Sequence, residues 1–163
     1  MPAEAITEAT TETTVVYTDG ACLGNPGPGG WAWAVPGGDW ACGPDPDTTN
    51  QRMELQAVLE AVRTHPDDPL RIHSDSQYVV HGINHGRYKR WLKRNWHNSK
   101  RKPVANRDLW EPLIELWLPR SSEVAFVWIP GHAGSRYNEL ADRLACRAAD
   151  TQQPASGMNS AAL

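Results

Sequence analysis

Val15-Val16-Tyr17 is a short apolar run that leads into Thr18-Asp19-Gly20, and it predicts a strand ending in a turn-prone pair. Trp31-Ala32-Trp33-Ala34-Val35 predicts a second strand beyond a Gly/Pro loop, and Trp40 to Cys42 a short third. The period then changes. From Thr49 or Asn50, either a good helix cap, Leu55, Val58, Leu59 and Val62 recur at helical spacing as far as His65-Pro66. Leu70-Arg71-Ile72-His73 reads as another strand, after which Ser74 or Asp75 caps a helix carrying Tyr78, Val79 and Ile83. A stretch interrupted by Gly82 and Gly86 predicts one or two helices and a loop closing at Pro103. Leu109, Leu113, Leu116 and Trp117 mark a further helix with Pro112 near its start. Glu123 to Ile129 is the last strand, and Pro130 to Gly134 a loop. Arg136 to about Asp150 is a final helix that buries Leu140, Ala141, Leu144 and Ala148. Strands first, then helices interleaved with two later strands, imply an α/β fold: a mixed sheet with helices on its faces.

The polar ends set the boundaries. Residues 1–13 and 151–163 are short of large apolar side chains and read as disordered tails around one domain over 14–150. A chain of 163 residues buries roughly 70% of its unfolded surface and needs no disulfide or metal to fold. Three cysteines (Cys22, Cys42, Cys146) without paired spacing fit a reducing cytosol, so a cytoplasmic location is expected. The uncharged stretch from Ala21 to Gly38 holds six Gly and three Pro, which excludes it as a membrane helix. The first residues lack basic side chains and an apolar run, so no signal peptide is expected.

Charge changes the picture more than composition does. The net charge is −3, which alone suggests no polyanionic partner. Yet Ser76 to Arg107 contains nine basic residues and no acidic one, against seven basic and 19 acidic residues elsewhere. Such a segment can neutralise phosphates and release counterions. Tyr88, Trp91 and Trp96 lie within it, where flat rings can stack on bases. The plainer reading is a solvated helix pair anchored to the domain by its tryptophans. The complete absence of acid favours a nucleic-acid surface.

Four carboxylates fall at the ends of elements: Asp19 after the first strand, Glu54 early in the first helix, Asp75 after the fourth strand and Asp142 on the last helix, one turn beyond Asn138. Each has a local explanation, as a turn residue, a dipole partner, a cap or a surface ion pair. If they converge, the physics is restrictive. Two like charges 4 Å apart repel by ~4 kcal/mol at an effective dielectric near 20. Four therefore need cations among them, and oxygen ligands alone select Mg²⁺ or Mn²⁺ over zinc. Spacing does not decide whether they converge.

The run from Tyr17 through Asp19-Gly20-Ala21-Cys22-Leu23-Gly24-Asn25-Pro26 to Trp31 resembles the opening motif of bacterial type 1 ribonuclease H. Thr49-Asn50-Gln51-Arg52-Met53-Glu54-Leu55 and Ser74-Asp75-Ser76-Gln77-Tyr78 resemble the second and third motifs. Trp128 to Gly134 and Asn138 to Asp142 resemble the last two, so the likeness runs in order from about Val15 to Ala149. It implies a ribonuclease H-like fold with a five-stranded mixed sheet flanked by helices on both faces. It also implies a monomeric endonuclease that cuts RNA in RNA–DNA hybrids, leaves 5′-phosphate and 3′-hydroxyl ends, and needs no obligate protein partner or membrane.

By motif position, Asp19 would bridge two Mg²⁺ ions, with Mn²⁺ as a possible substitute; Glu54 and Asp75 would complete one site and Asp142 the other. His132 occupies the place of a loop histidine that moves protons or helps product leave. Cys22, Asn25, Asn50, Gln51 and Gln77 would line the hybrid's minor groove, where the 2′-hydroxyl tells RNA from DNA. Thr49, with Asn25, would hold a DNA phosphate. The basic segment, about 85–107, resembles the family's handle, with Trp91, Lys93, Arg94 and Trp96 as its contact surface. Three departures stand out: Gln51 replaces a usual Asn, Ala105 replaces a basic residue of some relatives, and Pro36 to Asp47 is short, so a stunted hairpin is expected. The competing readings are a related resolvase or transposase-like nuclease, a non-catalytic hybrid-binding module, and a structural Ca²⁺ protein. The Thr-Asp-Gly opening, the full set of acids and the handle argue against them in turn.

Overall fold

The computed structural model describes residues 12–131 and 135–158. The apolar run at the start forms β1 (Thr14–Cys22), which pairs antiparallel with β2 (Gly27–Ala34), and β2 pairs antiparallel with β3 (Asp39–Thr48). After α1 (Asn50–Thr64) comes β4 (Leu70–Ser74), parallel to β1, then α2 (Gln77–Asn84), α3 (Arg87–Lys93) and α4 (Arg107–Trp117). β5 (Val124–Trp128) lies parallel to β4, and α5 (Arg136–Thr151) leads to β6 (Ala155–Met158). The sheet order is β5-β4-β1-β2-β3-β6, so β1 is central.

Alternation along β2 assigns the two faces. Trp31 and Trp33 pack with the larger core, where Leu55, Leu59, Ile72, Trp110 and Leu113 from α1, β4 and α4 are buried. Ala32 and Ala34 face Leu140, Leu144, Ala145 and Ala148 of α5. Small residues on that face bring α5 close: a β-carbon at Gly30 would collide with the backbone of Ala145 and Ala149. α5 packs on β1 as well as on β2.

Two expectations are corrected. The sheet has six strands, because Ala155–Met158, within the segment read as a disordered tail, adds antiparallel to β3. Gln152, in the left-handed region (φ 53°), turns the chain back after α5. The β2–β3 hairpin is not stunted, since β3 runs for ten residues through Pro44 and Pro46. Caps also shift slightly. Thr49 caps α1, but α2 is capped by Ser76, whose Oγ accepts the N–H of Val79 at 3.2 Å. No helix among the described residues is long and apolar enough to cross a membrane.

Candidate active site

Strand register brings the first two acids together. Thr18 of β1 stands opposite Ser74 of the parallel β4. Asp19 and Asp75, each one residue further on, therefore emerge side by side where the parallel pairing of the two strands ends; the expectation that β1 closes at Asp19 is corrected, since β1 runs on to Cys22 in its pairing with β2. Asp75 is held by its main chain: its carbonyl accepts the Trp128 indole N–H at 3.1 Å. Next to it, the Ser76 N–H donates to Ser74 Oγ at 3.0 Å.

Glu54 arrives from the opposite direction. The Thr49 hydroxyl accepts the N–H of Arg52 at 3.2 Å and fixes where α1 begins. Gly20 then allows that helix to lie against β1, because any β-carbon there would strike the backbone of Met53 and Glu54. From the far face, α5 contributes Asn138, Glu139 and Asp142. These residues line one cleft of about 290 Å³ with Asp19, Gly20, Asn50, Glu54 and Asp75.

One oxygen each of Asp19, Glu54 and Asp75 lies within 4.8 Å of the others. Asp142 lines the same cleft outside that tight group, near enough for its charge to act on Asp19. Asp19 is only 5% exposed. Burial pushes its carboxyl up to about 7; a hydrogen bond with Glu54 opposes the rise, and the charges of Asp75 and Asp142 add to it. Burial also drives Glu54 well above the usual carboxylate range, with the Asp19 charge next in importance.

Glu54 Oε2 and Asn138 Oδ1 are buried without a hydrogen-bond partner. Buried orphan acceptors are costly unless a proton or cation answers them. An all-oxygen donor set with orphaned lone pairs fits a hard divalent ion such as Mg²⁺ or Mn²⁺.

Of the residues expected to line a groove, Cys22, Asn25 and Asn50 lie together around the start of α1. Asn25 Oδ1 accepts the Asn50 N–H at 2.9 Å, tying the loop after β1 to the start of α1. Cys22 Sγ donates to the carbonyls of Gly27 (3.5 Å) and Thr48 (3.4 Å), so its side chain works inside the hairpin. Asn50, Gln51 and Gln77 are exposed. His132 lies outside the described residues.

In the basic arm, Arg87, Arg90, Trp91, Arg94, His97 and Asn98 line a concavity, and Lys93, at the end of α3, is exposed. Trp96 corrects the expectation of a contact ring. It is 5% exposed, lies 5.8 Å from Trp91 and is covered by the Arg107 guanidinium at 5.5 Å. Trp91 in turn meets Trp110 edge-on at 4.9 Å. The tryptophans thus anchor the arm, and its charges face out.

Gly20 and Asn138 are not among the expected site residues. Asn138 carries a sequence signal, since it sits four residues before Asp142 and shares its helix face. For Gly20 the signal is its place directly after an acid that follows an apolar run.

A sequence profile of the RNase H family matches residues 11–150. A ribonuclease H of Syntrophomonas wolfei is 45% identical over 136 residues, covering 80% of this chain and 92% of that protein. One from Erythrobacter litoralis is 46% identical over 144 residues, covering 84% and 96%. Among solved structures, LC9-RNase H1, a type 1 RNase H with the type 2 active-site motif, superposes with a TM-score of 0.76 at 30% identity, over 95% of this chain and 80% of that one.

Proposed function

The chain belongs to the ribonuclease H family, and from that premise we propose that it cuts the RNA strand of RNA–DNA hybrids by two-metal-ion hydrolysis, leaving 5′-phosphate and 3′-hydroxyl ends. It is an endoribonuclease by family. The observation that carries the mechanistic reading is the set of three carboxylates within 4.8 Å around a buried Glu54 oxygen that has no partner.

Asp19, Glu54 and Asp75 would hold one Mg²⁺, and Asp19 with Asp142 a second; Mn²⁺ has the same preference for oxygen. Bound there, the ions supply Lewis acidity and neutralise charge at the scissile phosphodiester. The chain's own groups do the rest. Asp19 and Glu54 share a hydrogen bond while metal-free and give up protons as cations enter. Asn138 lines the same cleft, and its buried Oδ1 has no partner. Cys22, Asn25, Asn50, Gln51 and Gln77 would meet 2′-hydroxyls across the hybrid's wide minor groove. Thr49 would help hold a DNA phosphate, and His132 would move a proton or aid product release. Lys93, Arg94 and Trp91 would take the DNA strand along the arm. The free thiols of Cys22, Cys42 and Cys146 suit a reducing cytoplasm.

The test is cleavage of an end-labelled hybrid in Mg²⁺ beside RNA duplex, DNA duplex and single-stranded RNA, with Asp19→Asn in parallel. Hybrid-only cutting that vanishes in the variant is expected. Intact hybrid binding without cutting in Mg²⁺ or Mn²⁺ would make the chain a binding module instead.

A further inference from the structure

We infer that His81 and His85 form a second metal site, separate from the carboxylate cleft and selective for a borderline divalent transition ion such as Ni²⁺ or Zn²⁺. α2 is capped by Ser76 and runs to Asn84, and its turn continues through His85, whose N–H donates to the His81 carbonyl at 2.9 Å. Residues four apart on a helix stand one above the other on the same face. Here the two imidazoles stack with centroids 4.3 Å apart and planes 12° from parallel.

The ring nitrogens of the pair are both idle and open to solvent, whereas those of His73 are idle but buried. His65 Nδ1 is engaged with the Ala61 carbonyl at 2.8 Å, and His97 Nδ1 with the Asn95 carbonyl at 2.9 Å. Among the described residues, neither His81 nor His85 makes a side-chain hydrogen bond or ion pair, and the stack is their one ring contact. His81 is half-buried and His85 exposed, so an ion reaches the rings from solvent. In the stack the in-plane nitrogen lone pairs run almost parallel, so binding turns both rings about χ2, out of the stack, until one nitrogen of each faces a shared ion; that torsion is broad and its rotation in an exposed imidazole is cheap.

The surroundings set the selectivity. The carbonyl end of α2 carries the negative end of its dipole, which favours a cation. Against this, Arg87 and Lys89 follow directly on α3, with no acidic residue between Ser76 and Arg107. That positive field repels hard ions such as Mg²⁺, for which imidazole is a poor ligand. It leaves the site to ions whose affinity for imidazole nitrogen outweighs the repulsion. The site therefore does not compete for the metal that the carboxylates favour. It sits at the junction between the helix that begins beside Asp75 and the arm that begins at Gly86, a left-handed hinge residue (φ 71°).

The experiment is a Ni²⁺ titration of the whole chain in saturating Mg²⁺, followed by paramagnetic broadening of the imidazole ¹H–¹⁵N signals. His81 and His85 should broaden first and together. His85→Gln should raise the Ni²⁺ needed to broaden His81 by roughly tenfold or more, the scale on which a metal site feels the loss of a partner; His81→Gln should do the same to His85. Asp19→Asn should leave the titration unchanged. Earliest broadening elsewhere, an unshifted titration in both histidine variants, or loss of the effect in Asp19→Asn would overturn the proposal.

Discussion

The backbone of Gly20 lies directly against the backbone of Glu54, with no room between them for a β-carbon. Two catalytic candidates, Asp19 and Glu54, are thus separated by one close approach between a strand and the start of a helix. Gly20→Ala should force α1 outward, at a cost of about 1–3 kcal/mol, and spread the carboxylate group. The expected outcome is a lowered melting temperature together with a loss of Mg²⁺-dependent activity out of proportion to the unfolded fraction. Activity that tracks the folded fraction alone would show that the close approach serves packing only.

The raised carboxyl of Asp19 makes a statement about stability. Its folded value is about 7 against an ordinary 3.8, so between those values the native state holds a proton that the unfolded chain has released. More protons bound in the native state means that stability falls as pH rises through this window. For Asp19→Asn the penalty is absent. Metal-free wild type should match Asp19→Asn near pH 4 and become less stable than it by about 2–4 kcal/mol above pH 7, because each pH step of one between the two values costs about 1.4 kcal/mol. Adding Mg²⁺ should close the gap by stabilising the ionised wild type. Paired thermal melts at several pH values check this; a gap independent of pH would refute it.

How far the sequence discloses this arrangement depends on whether local chemistry or pairing decides. α1 is legible because Leu55, Val58, Leu59 and Val62 keep one period and Thr49 supplies the cap. The nearness of Asp19 and Asp75 is not legible from spacing, because it depends on Thr18 standing opposite Ser74, a register no local pattern encodes; the family motifs supply it. β3 reads short because Gly43-Pro44-Asp45-Pro46 opposes strand propensity, while its pairing with β2 carries it to Thr48. Trp96 misleads because a tryptophan among arginines looks the same in sequence whether its ring meets solvent or Trp91.

That last distinction separates two kinds of variant in the arm. Trp96→Ala removes a buried ring that packs on Trp91, and should destabilise the protein by about 3–5 kcal/mol. Lys93→Ala with Arg94→Ala removes two exposed charges and should leave the melting temperature unchanged. The double variant should weaken hybrid binding and flatten its dependence on salt, the slope falling by roughly one for each phosphate that is no longer neutralised. Binding isotherms at several salt concentrations decide it. An unchanged slope in the double variant would remove the arm from the binding surface.

The short final strand has a job that can be isolated. β6 pairs Met158 with Asp39 and Ala155 with Cys42, at the end of β3 remote from Thr48 and the start of α1. Gln152, just before it, locks the end of α5 by donating from Nε2 to the carbonyls of Gly29 (3.1 Å) and Ala149 (2.9 Å). A chain ending at Gln153 keeps that lock and loses the strand together with the residues that flank it. Its β3 edge is then an open row of donors and acceptors, with Trp40 and Ala41 on it, which templates pairing with a second copy. Turnover on a hybrid should be unchanged at low protein concentration, because no cleft residue moves. Stability should fall by about 1–2 kcal/mol, the scale of a few exposed hydrogen bonds, and sedimentation should reveal self-association that grows with concentration. If the truncated chain stays monomeric at high concentration with an unaltered melting temperature, the strand does not protect the edge.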